Sequence, residues 1–284
     1  MYTIALLNEK GGVAKTTSTY NIAYSLAKEG KRVLMIDFDS QASLTVAVGL
    51  ELSETEDINL GNVLLGEVAL KDALLSVSFG DTCVDVIPSH NSFASVVQSN
   101  YDAQSLSAIM QKLLDTVQEL YDYVLLDCPP TICTLLISAL MLVDGVIMPV
   151  LGADYHSLVS VQNTLADMQQ IQSVRDGKPE FLGLLVTRYK KNIRNHVALH
   201  DHLREQYRIL GTLSDTDAFT TALSEGLPVA EVKPSTMQSR GAAREYAKIA
   251  EFIINHCEYN DGKNRHNKKT DKVQKKSNIS KKTE

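Results

Sequence analysis

The sequence predicts an α/β fold: a single domain with a mostly parallel, twisted sheet flanked by helices on both faces. Short β-branched apolar runs alternate along the chain with amphipathic stretches of helical period. The apolar runs are continuous, which is typical of parallel strands that are buried on both faces. With 284 residues, 44% of them hydrophobic, the chain is long enough to enclose one large core.

The predicted elements follow one another in strand–helix order. Residues 3–8 form an apolar first strand, and Gly30 ends the helix that follows it. The helix at 105–120 is supported by apolar residues three and four positions apart. Strands are predicted at 3–8, 32–36, 84–87, 123–126, 145–150 and 182–187. Helices are predicted at 15–28, 105–120, 157–174, 193–207, 219–225 and 237–256.

The C-terminal segment differs from the rest of the chain in charge and composition. Residues 262–284 carry nine Lys or Arg and two acidic residues, which gives this segment a net charge of +7. The whole chain has a net charge of −6, so the other residues together carry −13. Residues 260–284 contain only two aliphatic side chains, too few to offset the entropy of ordering. We therefore predict a globular domain at 1–258 and a basic, disordered tail at 259–284, whose charge favours a polyanionic partner.

A glycine-rich segment lies between the first strand and the first helix, where a P-loop belongs. Such a loop binds phosphate oxygens with backbone N–H groups, a Lys and a hydroxyl that also binds Mg²⁺. Lys15 and Thr16 occupy the Lys and hydroxyl positions, and Thr17 is placed to contact the α-phosphate. Against the pattern G-x-x-x-x-G-K-[ST], Glu9 replaces the first Gly and Ala14 the second. The predicted nucleotide-binding residues are Gly11, Gly12, Val13, Ala14, Lys15, Thr16 and Thr17.

Three carboxylates follow predicted strands. Asp37 and Asp39 come after the second strand, and Asp127 ends the apolar strand at 123–126. Ligands of parallel sheets bind at the carboxyl ends of the strands, so these side chains are expected beside the glycine loop. Asp127 stands where a Walker B carboxylate holds Mg²⁺ through water.

Together these motifs resemble the ParA/MinD family of deviant Walker A P-loop ATPases, in particular the small, Soj-like ParA type. Residues 10–17 resemble its deviant Walker A motif, which tolerates a non-Gly at position 9 and adds a signature lysine, here Lys10. Residues 37–41 resemble its D-x-D-P-Q motif, with Ser40 in place of Pro, and 127–130 resemble its Walker B motif. Segments 86–89, 225–229 and 239–246 resemble further landmarks of a family match that spans about residues 1–257.

The resemblance implies a site shared between two subunits. Two protomers would enclose two ATP molecules, and Lys10 would cross the interface to the partner's phosphates, much as an arginine finger does. Lys15 would bind the β- and γ-phosphates within its own subunit. ATP would drive dimerisation, and slow hydrolysis would end it.

The resemblance also assigns the hydroxyl and the carboxylates. Thr16 would ligate Mg²⁺, with Asp37 and Asp127 holding it through water. Asp39 would position the attacking water. The implied catalytic residues are therefore Lys10, Lys15, Asp39 and Asp127.

What members of the family bind implies the partners expected for this chain. ParA-type members bind non-specific DNA as ATP dimers and are stimulated by a ParB-type centromere-binding protein, so the resemblance implies a cytoplasmic, nucleoid-associated partitioning ATPase for a plasmid or chromosome. The tail lysines would add salt-dependent phosphate attraction. The candidate DNA contacts are Lys190, Lys191, Arg194, Arg240 and Arg244.

Two other functions remain open on the sequence. MinD-like relatives bind membranes through a C-terminal amphipathic helix, but the chain after His256 lacks the apolar face that an interfacial helix needs. The second open function is that of a ParA homologue that no longer hydrolyses ATP. It stays open because Ala14 places a Cβ where the P-loop usually has glycine, which alters the loop. We expect Ala14 to weaken ATP binding without abolishing it.

Overall fold

The strands of the computed structural model, which describes residues 1–130, 134–153 and 156–280, form one sheet. They are β1 (Tyr2–Leu6), β2 (Val33–Asp37), β3 (Leu75–Phe79), β4 (Thr82–Ile87), β5 (Tyr123–Asp127), β6 (Gly145–Leu151), β7 (Glu180–Tyr189) and β8 (Ile209–Ser214). Their order is β3-β4-β2-β5-β1-β6-β7-β8. Only the β3–β4 pair is antiparallel among these strands, so the predicted mostly parallel α/β fold is confirmed.

The helices connect the strands and cover the sheet. They are α1 (Lys15–Lys28), α2 (Ser43–Ala47), α3 (Leu52–Thr55), α4 (Leu60–Leu65), α5 (Phe93–Asn100), α6 (Ala103–Val117), α7 (Thr134–Leu142), α8 (His156–Gln172), α9 (Arg194–Gln206), α10 (Ala218–Ser224) and α11 (Met237–Ser280). A 3₁₀ turn spans Leu70–Asp72. The first helix has the predicted bounds.

Every predicted strand and helix is present, but the sequence reading missed several short elements. Strand β3 is an antiparallel edge strand with alternating burial, a pattern that its apolar residues at every second position would have revealed. Strand β8 contains Gly211, which weakens the strand signal. Helix α7 is apolar on almost every side, so it lacks the amphipathic period that identified the other helices.

The sheet is buried on both faces, as the continuous apolar runs predicted. Successive residues of one strand belong to different cores: Leu34 and Ile36 of β2 pack with α4–α7, whereas Val33 and Met35 pack with α1 and α11. This two-sided burial fixes the level of each strand within the sheet, and with it the position of the residues at the strand ends.

Helix α11 begins beside the carboxyl end of the sheet and packs on α1 and β8 through buried side chains such as Tyr246 and Ile249. It is described as far as Ser280, beyond the predicted end at residue 256 and through most of the segment expected to be disordered. The boundary at 258 and the disorder of the tail stay predictions. None of the described helices is long and apolar enough to cross a membrane.

The strand order brings the three motif segments together. Strand β5 lies between β1 and β2, and its Asp127 is level with Leu6 and with Asp37 in the parallel registers. The glycine loop leaves β1, and the D-x-D segment leaves β2. All three segments therefore emerge side by side at the carboxyl edge of the sheet.

Candidate active site

The glycine loop has the backbone shape of a P-loop. Gly12 has a φ of 74°, and Ala14 has a φ of 70° and a ψ of 37°, both in the left-handed region. Ala14 is the N-cap of α1, so the free N–H groups of the first helical turn point towards the loop. Ala14 thus keeps the conformation of the glycine it replaces, at a steric cost of about 1 kcal/mol.

Lys15 is held against its own loop. Its ammonium donates to the carbonyl oxygens of Asn8 at 3.0 Å and Lys10 at 3.1 Å. The residue is 8% exposed, and this burial lowers its pKa, an effect that the charge of Asp127 opposes. Phosphate oxygens offer such a buried ammonium stronger, charged acceptors than two neutral carbonyls.

Asp127 is joined to α1 by two hydroxyl groups. Thr16 Oγ1 donates to Asp127 Oδ2 at 2.6 Å, and Thr19 Oγ1 donates to Oδ1 at 3.3 Å. Burial and the neighbouring charge of Asp37 raise the pKa of Asp127 to about 8. A divalent cation next to Thr16 would stabilise the ionised carboxylate.

Asp37 lies beside Asp127 but makes different contacts. It is fully buried, and its Oδ2 accepts from Thr45 N at 2.8 Å and Thr45 Oγ1 at 2.7 Å. Thr45 Oγ1 in turn accepts from Ser89 N at 3.0 Å. Burial raises the pKa of Asp37 to about 7. These contacts tie the loop that carries Asp39 to the ends of β2 and β4, and a role for Asp37 in the Mg²⁺ shell stays a prediction.

Asp39 borders an open cavity of about 340 Å³ between the D-x-D loop and the loop after β5. It is half-buried, and its Oδ1 accepts from Gln41 N at 3.0 Å. Pro129 and Pro130 form part of the opposite wall. A carboxylate in this place has room beside it for water.

Lys10 is half-buried and precedes the two exposed glycines of the loop, Gly11 and Gly12. Its backbone N–H donates to Asn8 Oδ1 at 2.9 Å, and its carbonyl accepts from Lys15. Asn8 is anchored in turn, because its Nδ2 donates to Pro149 O at 2.8 Å. The backbone of Lys10 is therefore held in place, and the contact of its side chain with a second subunit stays a prediction.

A second cavity, of about 300 Å³, adjoins the start of α1. Ala14 and Thr17 form its wall on the loop side, and Arg188, Asp215 and neighbouring residues of β8 and α10 form the other. The β-methyl of Ala14 therefore narrows a space directly beside the phosphate loop. The size and position suit the base and ribose of a nucleotide.

The five basic candidates for DNA contact are all exposed. Lys190 and Lys191 follow β7 and line a cavity of about 590 Å³ together with the first turns of α11. Arg240 and Arg244 lie one turn apart on the adjoining face of α11. Arg194 begins α9. The structure thus brings the loop lysines next to α11, and DNA contact by the five residues stays a prediction.

Three threonines that contact the site were not predicted from the sequence. Thr19 lies one turn after Thr16, a spacing that places both on one face of α1. Thr45 binds Asp37, and Thr187 Oγ1 donates to the P-loop carbonyl of Val13 at 3.2 Å. The helical spacing could have revealed Thr19, whereas Thr45 and Thr187 become neighbours of the site only through the tertiary fold.

The donors present fit Mg²⁺ bound together with nucleotide phosphates. Within the described residues, no group of three or more His, Cys, Asp or Glu side chains is arranged to hold a metal ion. The Thr16 hydroxyl and the Asp127 carboxylate are hard oxygen donors in contact with each other. A site with so few protein ligands suits Mg²⁺, which keeps several waters and takes further ligands from phosphates.

Comparison with known sequences finds a matching family model and a similar partitioning ATPase. A family model described as an AAA domain matches residues 1–179. The chromosome-partitioning ATPase Soj of Thermus thermophilus is 30% identical over 255 residues, which cover 88% of this chain and 94% of that protein. The family match includes the glycine loop and all three carboxylates.

Comparison with solved structures shows the same fold. A Cyanothece McdA–ATP complex matches with a TM-score of 0.77 at 20% identity, over 89% of this chain and 96% of that one, a likeness that concerns the fold alone. Cobyrinic acid a,c-diamide synthase from Mycobacterium smegmatis, with a bound ATP analogue and magnesium, matches with a TM-score of 0.71 at 25% identity over 91% and 96% of the two chains. The second structure agrees with the predicted cofactors.

Replacing Ala14 by Gly tests the effect of the methyl group in the loop. We expect tighter ATP binding, by about twofold to tenfold, because the methyl group no longer narrows the cavity beside the loop. Titration with a fluorescent ATP analogue measures the affinity. An unchanged affinity would show that the methyl group is harmless.

Ala42→Gly is the matched control, since Ala42 also has a left-handed φ of 52° but caps α2 instead of α1. Either variant should change the free energy of unfolding by no more than about 1 kcal/mol, because relief of strain is offset by the freedom glycine gains in the unfolded chain. Only Ala14→Gly should tighten ATP binding.

Thr45→Val tests the network around Asp37. The loss of one hydroxyl leaves Ser89 N–H and part of the Asp37 carboxyl unsatisfied, so we expect destabilisation by about 1–3 kcal/mol. We also expect severalfold slower ATP hydrolysis, because the loop of Asp39 loses an anchor. Denaturant unfolding and phosphate release measure the two effects, and Thr45→Ser, which keeps the hydroxyl, should restore most of both. Equal behaviour of all three proteins would contradict this role.

Proposed function

We propose that this chain, which belongs to the ParA/MinD family of P-loop ATPases, is a ParA-type partitioning ATPase for a plasmid or chromosome. In this proposal it dimerises with ATP, binds non-specific DNA, and is switched off when a ParB-type partner stimulates hydrolysis. The observation that carries the ATPase part is the contact of Thr16 with Asp127 beside the buried Lys15.

The cofactors are ATP and Mg²⁺, and different residues of the site bind each of them. Lys15 and the N–H groups at the start of α1 bind the β- and γ-phosphates, and Thr17 contacts the α-phosphate. Thr16 and Asp127 hold Mg²⁺, the carboxylate through water, and the ion neutralises charge on the phosphates when bound. Asp39 orients water from the neighbouring cavity towards the γ-phosphate.

In the proposed dimer, the second subunit supplies positive charge to the γ-phosphate. Phosphoryl transfer needs cations around the equatorial oxygens of the γ-phosphate, and within its own subunit the motif places Lys15 there. Lys10 precedes the exposed glycines of the loop, and a second subunit facing the loop would bring its own lysine to the phosphates. Hydrolysis then depends on assembly, and the ATP-bound dimer acts as a timed switch.

Non-specific DNA is the partner that best fits the surface charge. Lys190, Lys191, Arg194, Arg240 and Arg244 are exposed on an otherwise acidic domain, and most of the basic tail belongs to α11, the helix that bears two of them. Contacts of this kind bind the phosphate backbone without reading its sequence. Association of the ATP-bound form with the nucleoid follows from such binding.

The decisive experiment compares the wild-type chain with Lys10→Ala. We expect wild-type protein with ATP and Mg²⁺ to bind a random-sequence DNA duplex and to form dimers, whereas Lys10→Ala should bind DNA at least about tenfold more weakly and lose stimulated hydrolysis. Co-sedimentation with DNA and light scattering measure the two properties. Equal, ATP-independent DNA retention by both proteins would contradict the switch.

Lys31→Ala is the control, because Lys31 precedes β2 at the opposite edge of the sheet and its loss changes the net charge equally. Anionic liposomes in parallel tubes separate the DNA-binding function from a membrane-positioning ATPase. Phosphate release with DNA and a partner protein separates it from a homologue that does not hydrolyse ATP.

A further inference from the structure

An ion pair stands in the wall between the two cavities at the ends of β7 and β8. Lys190 Nζ lies 2.9 Å from Asp215 Oδ2, with side chains 47% and 40% exposed. The backbones of the two strand ends are joined as well, since Asp215 N donates to Tyr189 O at 3.2 Å. A basic residue of the proposed DNA surface is thus already engaged by an acid of the same protomer.

Asp215 belongs to both cavities. It lines the 300 Å³ cavity beside the phosphate loop, together with Ala14 and Thr17. It also lines the 590 Å³ cavity, together with Lys190 and Lys191. A ligand in the first cavity and a ligand in the second would therefore both lie next to Asp215.

The backbone of β7 joins the same two places. Thr187 donates to the P-loop carbonyl of Val13, and Arg188 has a left-handed φ of 50° and lines the nucleotide cavity. Lys190 follows two residues later, and its backbone N–H donates to His196 Nδ1 at 3.1 Å. Because the backbone is anchored on both sides of Arg188, the side chain of Lys190 is the part that can change partner.

The other acid of the larger cavity is already engaged. Glu245 Oε1 accepts from Lys248 at 2.6 Å, and its Oε2 accepts from Thr212 N at 3.4 Å. Among the described acids that line this cavity, Asp215 is the one paired with a loop lysine.

We propose that Asp215 couples the two cavities: it holds Lys190 in the nucleotide-free protein and releases it to a DNA phosphate when ATP is bound. The ribose hydroxyls and the adenine amino group of ATP are hydrogen-bond donors that compete with Lys190 for the Asp215 carboxylate. The freed ammonium then pairs with a phosphate of the DNA backbone. This inference rests on the proposed DNA binding and adds the residue that makes it depend on nucleotide.

The exposure of the pair suits such an exchange. Ion pairs between exposed side chains contribute little to stability, so a competing donor is enough to shift the equilibrium. By thermodynamic reciprocity, DNA must then tighten ATP binding by the same factor by which ATP tightens DNA binding. A coupling carried by one pair should be modest, about twofold to fivefold.

Asp215→Asn tests the proposal by removing the charge that holds Lys190. Without nucleotide, we expect the variant to bind a labelled random-sequence duplex about twofold to fivefold more tightly than wild type, measured by fluorescence anisotropy. With ATP and Mg²⁺ the two proteins should converge. ATP affinity, measured with and without DNA, should show a correspondingly smaller coupling factor in the variant.

Asp201→Asn controls for the general gain from losing one negative charge, since Asp201 is exposed on α9 and has His200 as its ion-pair neighbour at 4.0 Å. A Lys190→Ala background shows whether Asp215 acts through Lys190, because the gain from Asp215→Asn should vanish there. An unchanged midpoint of denaturant unfolding in each variant reports an intact fold.

The outcomes separate the coupling from the function on which it rests. If wild-type protein binds DNA only with ATP and Asp215→Asn behaves like Asp201→Asn, the coupling through Asp215 is wrong and the DNA-binding function stands. A gain that persists in the Lys190→Ala background overturns it in the same way. If wild-type protein binds ATP but no DNA under any condition, both proposals fail.

Discussion

The carboxyl groups of Asp37 and Asp127 lie side by side at the centre of the sheet, because β2 and β5 are parallel neighbours in register. Both are buried, burial raises the pKa of each, and the neighbouring charge of Asp37 raises the pKa of Asp127 further. The other residues of the site compensate for the burial of these two carboxyl groups. Thr45 satisfies one carboxyl, Thr16 and Thr19 satisfy the other, and a bound cation completes the balance of charge.

The same constraint explains why the loop tolerates an unusual residue. The P-loop must turn sharply between β1 and α1 to place Lys15 near the two carboxyl groups, and that turn requires a positive φ at position 14. Alanine adopts this φ at a cost of about 1 kcal/mol, which a domain with a net stability of about 5–15 kcal/mol can tolerate. The substitution thus alters the space beside the loop more than its shape.

The proposed nucleotide and DNA sites lie close together at one edge of the sheet. The strand ends of β7 and β8 form one wall of the cavity beside the phosphate loop and also carry the basic loop. A change at the first cavity therefore needs no long pathway to reach the second. The proposed dimer adds control at the opposite side of the phosphates, through Lys10.

The sequence by itself determined the α/β class, the phosphate loop and the strand-end carboxylates. These follow from local patterns: buried parallel strands read as apolar runs, and a phosphate loop needs its glycines and lysine within one turn. Tertiary structure alone decided the partners of those groups. The pairing of Val13 with Thr187 and of Lys190 with Asp215 depends on strand order, because residues far apart in the chain meet only when their strands become neighbours. Asp37 meets Thr45, eight residues later, because the chain folds back from the end of β2 into α2.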